Sequence, residues 1–146
     1  MNLTEHFTDA ELGVIGVDPH IIGNAVALCT VLLEPIRAQF GPVSVHDGYR
    51  DPAHNARVGG APTSQHLFNG GDSAADFSCN LDARSVFDWI RLQSGLPFDQ
   101  VILEENEQGI ASTVHISYNS TIPFPRREAL TGATGGRSGY TQVEVK

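Results

Sequence analysis

Between positions 21 and 40 the apolar residues recur at helical spacing. Ile21, Ala25, Leu28, Cys29, Leu32, Ile36 and Phe40 form one stripe. A helix with such a face must bury it against another layer, so this stripe constrains the fold more than any other feature. Pro35 interrupts it. Proline lacks the backbone donor and its ring collides with the preceding turn, which predicts a kink or a break there. At 146 residues the chain has the size of one domain and can close one hydrophobic core. The expectation is a single domain over 1–146, with the Pro- and Gly-rich stretch 121–146 wrapping the surface as a C-terminal tail.

Shorter elements surround the stripe. Thr8 followed by Glu11 fits a capping box for a short first helix. VSVHDGYR, residues 43–50, reads as a strand entering a turn at Asp47-Gly48. Residues 51–63 read as loop and 73–78 as a short buried strand. Asp82 to Gln93 reads as a helix with Val86, Phe87 and Ile90 inward. Gln100–Leu103 and Val114–Tyr118 read as strands joined by a polar linker. The sum is an α+β fold, with helices packed on a small antiparallel sheet.

The net charge of −8 and pI near 5.0 argue against nucleic acid as a partner, because phosphate binding needs basic residues. No apolar run is read as long enough to cross a bilayer, so no membrane partner is expected, and the chain is expected to be a monomer. Cys29 lies on the apolar stripe, and both it and Cys79 are expected as unpaired thiols in a reducing compartment. MNLTEHFTDAEL has no basic run followed by an apolar one, which predicts synthesis in a cytoplasm without a signal peptide. Action elsewhere would need separate delivery.

The chemistry concentrates in SQHLFNGGDSAADFS, residues 64–78. His66 and Asp76 flank a glycine-containing loop, and His115 sits in the predicted strand TVHISY. Two imidazoles and a carboxylate can give zinc three protein ligands and leave a fourth position for water, the catalytic arrangement. Zinc lowers the pKa of such a water to roughly 7. The cluster is unspecific by itself, since a chain with six histidines places some of them near an aspartate.

The surrounding blocks are more specific. LTEHFT at the start, LEPIR at 33–37, GYRDPAHNARVGG at 48–60, SQH at 64–66, AADFS at 74–78, FDQVILE at 98–104, VHISY at 114–118 and RREALT at 126–131 occur in order. With them the chain resembles the zinc D-Ala-D-Ala carboxypeptidase and hedgehog-type metallopeptidase family, in particular its small phage-encoded single-domain branch. Of the family signature, S-x-H followed by G-x-A-x-D, the chain has Ser64, His66, Ala74 and Asp76. The resemblance implies that His66, Asp76 and His115 ligate zinc. It implies that Arg50 points into the site, where a guanidinium can stabilise an oxyanion; the alternative is a structural ion pair. Ser64 and Gln65 would line the substrate site or support the ligands.

The chain departs from the family in two places. Extra residues within LFNGGDS separate His66 from Asp76 and make Asp72 a rival ligand. AADFS favours Asp76, with the glycines letting the loop bulge outward. The general base is the second departure. Some relatives place an acidic residue three positions before the second histidine, where Ser112 stands here and cannot serve. The resemblance to the phage branch, in which a glutamate ends the preceding strand, implies Glu104 at the end of FDQVILE, with Glu105 and Glu107 as alternatives. The remaining reading leaves all three glutamates as solvated charges. Thr113 replaces the family's Trp two positions before His115, which bears on specificity. His6, His20, His46 and His54 are assigned no metal role.

The expected function is zinc-dependent hydrolysis of peptidoglycan stem peptides at a D-amino acid, as a carboxypeptidase or endopeptidase. A phage endolysin or virion-associated wall hydrolase, acting on the cell wall after release or as a virion component, fits that expectation. The rivals are a non-catalytic wall-binding or virion structural module that kept the fold, and a metallopeptidase acting on ordinary protein.

Overall fold

The apolar stripe is a continuous helical segment in the structure, a computed structural model that describes residues 1–134 and 139–146. It comprises α2 (Pro19–Leu28), a π turn (Cys29–Leu33) and α3 (Glu34–Phe40). Asp18 caps its start with Pro19 in the first turn. The predicted disturbance at Pro35 takes the form of the π turn just before it. The Glu34 N–H reaches back five residues to the Cys29 carbonyl, and the wider turn makes room for a ring that a regular α-helix would drive into the carbonyl four residues earlier. Ala25, Leu28, Cys29, Leu32, Leu33 and Ile36 are fully buried.

Pro19–Phe40 is also, by length and composition alone, apolar enough to cross a membrane, which corrects the sequence reading. Its apolarity has a different explanation here. The buried stripe is shared with the sheet in one core, together with Phe77, Phe87, Leu103 and Ile116.

Short α1 (Asp9–Leu12) carries the predicted capping box between Thr8 and Glu11. The N-terminal segment is tied to α3 through Glu34, whose carboxylate accepts from the Thr4 hydroxyl at 2.7 Å and the His6 N–H at 2.9 Å. Residues 51–63 are not all loop. Asp51 caps α4 (Pro52–Arg57), accepting from the His54 N–H, with Pro52 at the first position. α5 (Ala83–Leu92) is capped by Asp82 and buries Val86, Phe87 and Ile90, as predicted.

The strands are β1 (Ser44–Asp47), β2 (Asp72–Ser78), β3 (Gln100–Glu105), β4 (Val114–Asn119), β5 (Glu128–Ala133) and β6 (Tyr140–Val143), in the order β1-β2-β4-β3-β5-β6. The α+β class holds, with a larger and mixed sheet, because β5 runs parallel to β3. The stretch 121–146, expected as a surface wrap, contributes β5 and β6; residues 135–138 of that stretch lie outside the described ones. Ala129 of β5 is fully buried.

Strand alternation divides the sheet into two faces. Ala75, Phe77, Val101, Leu103, Val114 and Ile116 point into the core beneath the helices. Asp76, His115, Ile102 and Glu104 therefore share the opposite face. Asp76 pairs with His115, and His115 with Ile102, one same-face step from Glu104.

Candidate metal centre

Three elements bring the predicted ligands together. His66 lies in a 3-10 turn (Gln65–Leu67) whose start is capped by Ser64, the hydroxyl accepting from the His66 N–H at 3.2 Å. The His66 carbonyl accepts from the Arg50 N–H at 2.7 Å, so the turn is fastened to the GYR segment. Asp76 and His115 come from adjacent strands in direct register. One ligand atom from each of the three residues lies within 4.8 Å of the others.

The nitrogens that face the centre can be identified from what the other ring nitrogens do. His66 Nδ1 is 2.7 Å from the Gly48 carbonyl, an acceptor only, so Nδ1 carries the proton and donates it. That leaves His66 Nε2 facing the centre, 3.4 Å from Asp76 Oδ1. His115 Nε2 meets Gln65 Oε1 at 3.2 Å, and its Nδ1 is 3.0 Å from Asp76 Oδ1. His66 is buried, and burial pulls its pKa down, but the bond to Asp76 and the charge of that carboxylate reverse this and raise it overall. Burial pushes Asp76 up, yet the bonds from His115 and His66 hold it well below the usual carboxylate range. With a metal ion in place of the protons shared with Asp76, His66 Nε2, His115 Nδ1 and the Asp76 carboxylate are the kind of donor set that Zn2+ takes, so the residues present fit that ion.

The centre opens on a cleft of about 860 Å³. Glu104 lines it, and its Oε1 accepts from the Tyr140 hydroxyl at 3.3 Å. The alternatives to Glu104 are placed elsewhere. Glu105 projects from the other face of β3 and pairs with Arg84 at 2.5 Å, while Glu107 is exposed in the turn after β3. Asp72 lines the far part of the cleft, two same-face steps from Asp76, roughly 13 Å along the strand. It accepts from Asn119 Nδ2 at 2.9 Å and stands outside the ligand cluster.

The extra residues before β2 do not simply bulge outward. Phe68 enters the core in a left-handed conformation, and Asn24 of α2 donates to the Phe68 and Gly70 carbonyls at 3.1 and 2.8 Å. Only Asn69 and Gly70 are exposed at the turn.

Arg50 combines its two sequence readings. Its Nε donates to Asp47 Oδ2 at 2.7 Å, and Nη1 donates to Asn55 Oδ1 at 3.3 Å, while the guanidinium lines the cleft. A β-bulge in β1 makes this possible. His46 is left out of the pairing, so Asp47 falls opposite Asp76 and anchors Arg50 beside the ligands.

Sequence reasoning missed Asp47, Asp99, Arg126 and Tyr140 as site residues. Gln65 Nε2 donates to Asp99 Oδ2 at 2.7 Å, and Arg126 holds both Asp99 oxygens from Nε and Nη2 at 2.7 and 3.0 Å. Asp99 and Arg126 stand inside the blocks FDQVILE and RREALT, but nothing local marks them as partners. A family model described as Peptidase M15 matches residues 2–117. No curated protein matches the chain.

Proposed function

The chain belongs to the peptidase M15 family, and on that premise we propose that it hydrolyses amide bonds of peptidoglycan stem peptides with zinc held by His66, Asp76 and His115. The observation that carries the proposal is the convergence of these three residues on one centre, with Glu104 on the same face of the sheet and in the same cleft. That combination of ligands and a nearby carboxylate favours catalysis over a binding or structural module. The choice of a D-amino acid bond in a stem peptide rests on the family resemblance of the sequence blocks.

Zinc, when bound, supplies Lewis acidity and an acidified water. The chain's own groups supply the rest. Glu104 takes the proton of the attacking water on a carboxylate oxygen and passes it to the leaving amine, a role worth about 10²–10⁴ in rate. The Tyr140 hydroxyl holds one Glu104 oxygen in place. Asp47 occupies the Nε side of the Arg50 fork, which leaves the longer-bonded Nη1 to turn toward a substrate carbonyl oxygen as it gains charge. The proposed setting is the bacterial cell wall, reached after release from a phage-infected cell or as part of a virion.

Purified muropeptides incubated with zinc-loaded protein and read by mass spectrometry test the proposal. The expected result is a chelator-sensitive mass loss whose fragment names the bond and separates carboxypeptidase from endopeptidase. Intact muropeptides across several stem-peptide types, with zinc bound, would overturn it.

A further inference from the structure

We infer that Asp99 and Arg126 are positioning residues for the metal ligand His115, acting on it through Gln65. The inference rests on the reading of His66, Asp76 and His115 as the metal centre. It adds that the chemical state of His115 is set by a chain of partly buried bonds that ends outside the family-matched region, which spans residues 2–117.

Donor and acceptor capacity fixes the direction of each bond in this chain. Asp99 is nearly buried, with a side-chain exposure of 6% against 51% for Arg126. Its backbone is pinned on both sides, the N–H donating to the Ser117 carbonyl of β4 and the carbonyl accepting from the Glu128 N–H of β5. An ionised carboxylate only accepts, and Arg126 already donates to both Asp99 oxygens. Gln65 must therefore turn its NH2 group toward Asp99. Its carbonyl oxygen then faces His115 Nε2, and that nitrogen must be the protonated one. The Nδ1 lone pair is left for the metal, on the side where Asp76 lies.

Reversing any link reverses the outcome. A Gln65 amide turned the other way would present a donor to His115 and drive the proton onto Nδ1, where it would block ligation. The amide has no intrinsic preference between its two ends, so the preference comes from Asp99. Groups that orient a ligating histidine in this way typically contribute 10–100-fold to metal affinity.

Zinc affinity by chelator competition, together with 15N-resolved histidine spectra of the zinc-loaded protein, tests this without reference to peptidase activity. The wild type should show His115 protonated at Nε2. Gln65→Met should weaken zinc roughly 10–100-fold. Asp99→Asn should weaken it as well, and Arg126→Met, at a half-exposed position, should do so less while leaving the fold intact. In the Gln65→Met background neither Asp99→Asn nor Arg126→Met should cost anything further, because their route to His115 is gone.

Equal losses from Asp99→Asn or Arg126→Met in both backgrounds would overturn the inference, as would unchanged affinity in Gln65→Met. Those outcomes would leave the metal centre standing. A wild type that fails to bind zinc would overturn the centre itself and the inference with it.

Discussion

At the scale of single residues, the assignment of the proton-transfer group depends on strand alternation. Glu104 and Glu105 are neighbours in sequence, but β3 sends one to the cleft and the other to Arg84 on the far face. Glu104→Gln should therefore keep zinc and slow hydrolysis by about 10²-fold or more, whereas Glu105→Gln should change the rate little. Parallel zinc titrations and muropeptide kinetics check both. Comparable losses in the two variants would remove Glu104 from its role. The residues that carry a recognisable chemical type in a recognisable order are legible in the amino-acid sequence alone: His66, Asp76, His115, Arg50 and Glu104. Asp99 and Arg126 are not. They lie 27 positions apart, and their meaning depends on the half-buried Gln65 amide, whose orientation only tertiary structure defines.

At the scale of elements, what sequence reveals follows the strength of local signals. The Thr8–Glu11 capping box, the Asp82 cap and the apolar stripe are readable because each is a pattern within one element. α4 is not, since six residues show no periodicity, and the signal that could have found it is the Asp51-Pro52 pair at its start. β5 and β6 escape because EALTGA and YTQV lack apolar alternation, and β5 gains its place by pairing in parallel with a strand distant in sequence. Contacts between elements then connect the fold to the site. A Cβ at Gly48 would meet the Leu12 carbonyl oxygen at 2.6 Å, a backbone atom that cannot step aside alone. Gly48→Ala should cost about 1–3 kcal/mol of stability as an overpacking change. It should also weaken zinc, because the displaced Gly48 carbonyl is the acceptor that orients His66. Gly23→Ala, on the exposed side of α2 with open space at its Cβ, is the control and should be neutral or stabilising in a denaturant titration. The fastening of the N-terminal segment to α3 predicts a pH response. Burial pushes Glu34 up, but the bonds from His6 and Thr4 outweigh it and lower its pKa below the ordinary 4.5. A depressed carboxylate contributes stability above its unfolded pKa and loses it as pH falls through the folded one. The protection of residues 3–7 against amide exchange, relative to the intrinsic rate at each pH, should thus fall below about pH 4.5, and Glu34→Gln should flatten that response. Exchange that is equally pH-dependent in both proteins would place the acid sensitivity elsewhere.

At the scale of the whole molecule, the candidate metal centre joins parts of the fold that the chain connects only at a distance. His66 belongs to the turn before β2, Asp76 to β2 and His115 to β4, with 39 positions between the last two. The unfolded chain offers no such grouping, so zinc held by these residues would bind the folded state and should stabilise it by mass action. At zinc a hundredfold above its dissociation constant the gain is about 2.7 kcal/mol, which for a chain of this length corresponds to roughly 5–10 °C in Tm. The shift should vanish in His66→Ala and His115→Ala and persist in Glu104→Gln, since Glu104 lies outside the ligand cluster. A thermal melt series in zinc and chelator separates these cases. A shift of the same size in His115→Ala would mean that zinc stabilises the protein from some other place. Loss of the shift in Glu104→Gln would instead make that carboxylate a ligand, and the assignment of proton transfer in the cleft would have to move with it.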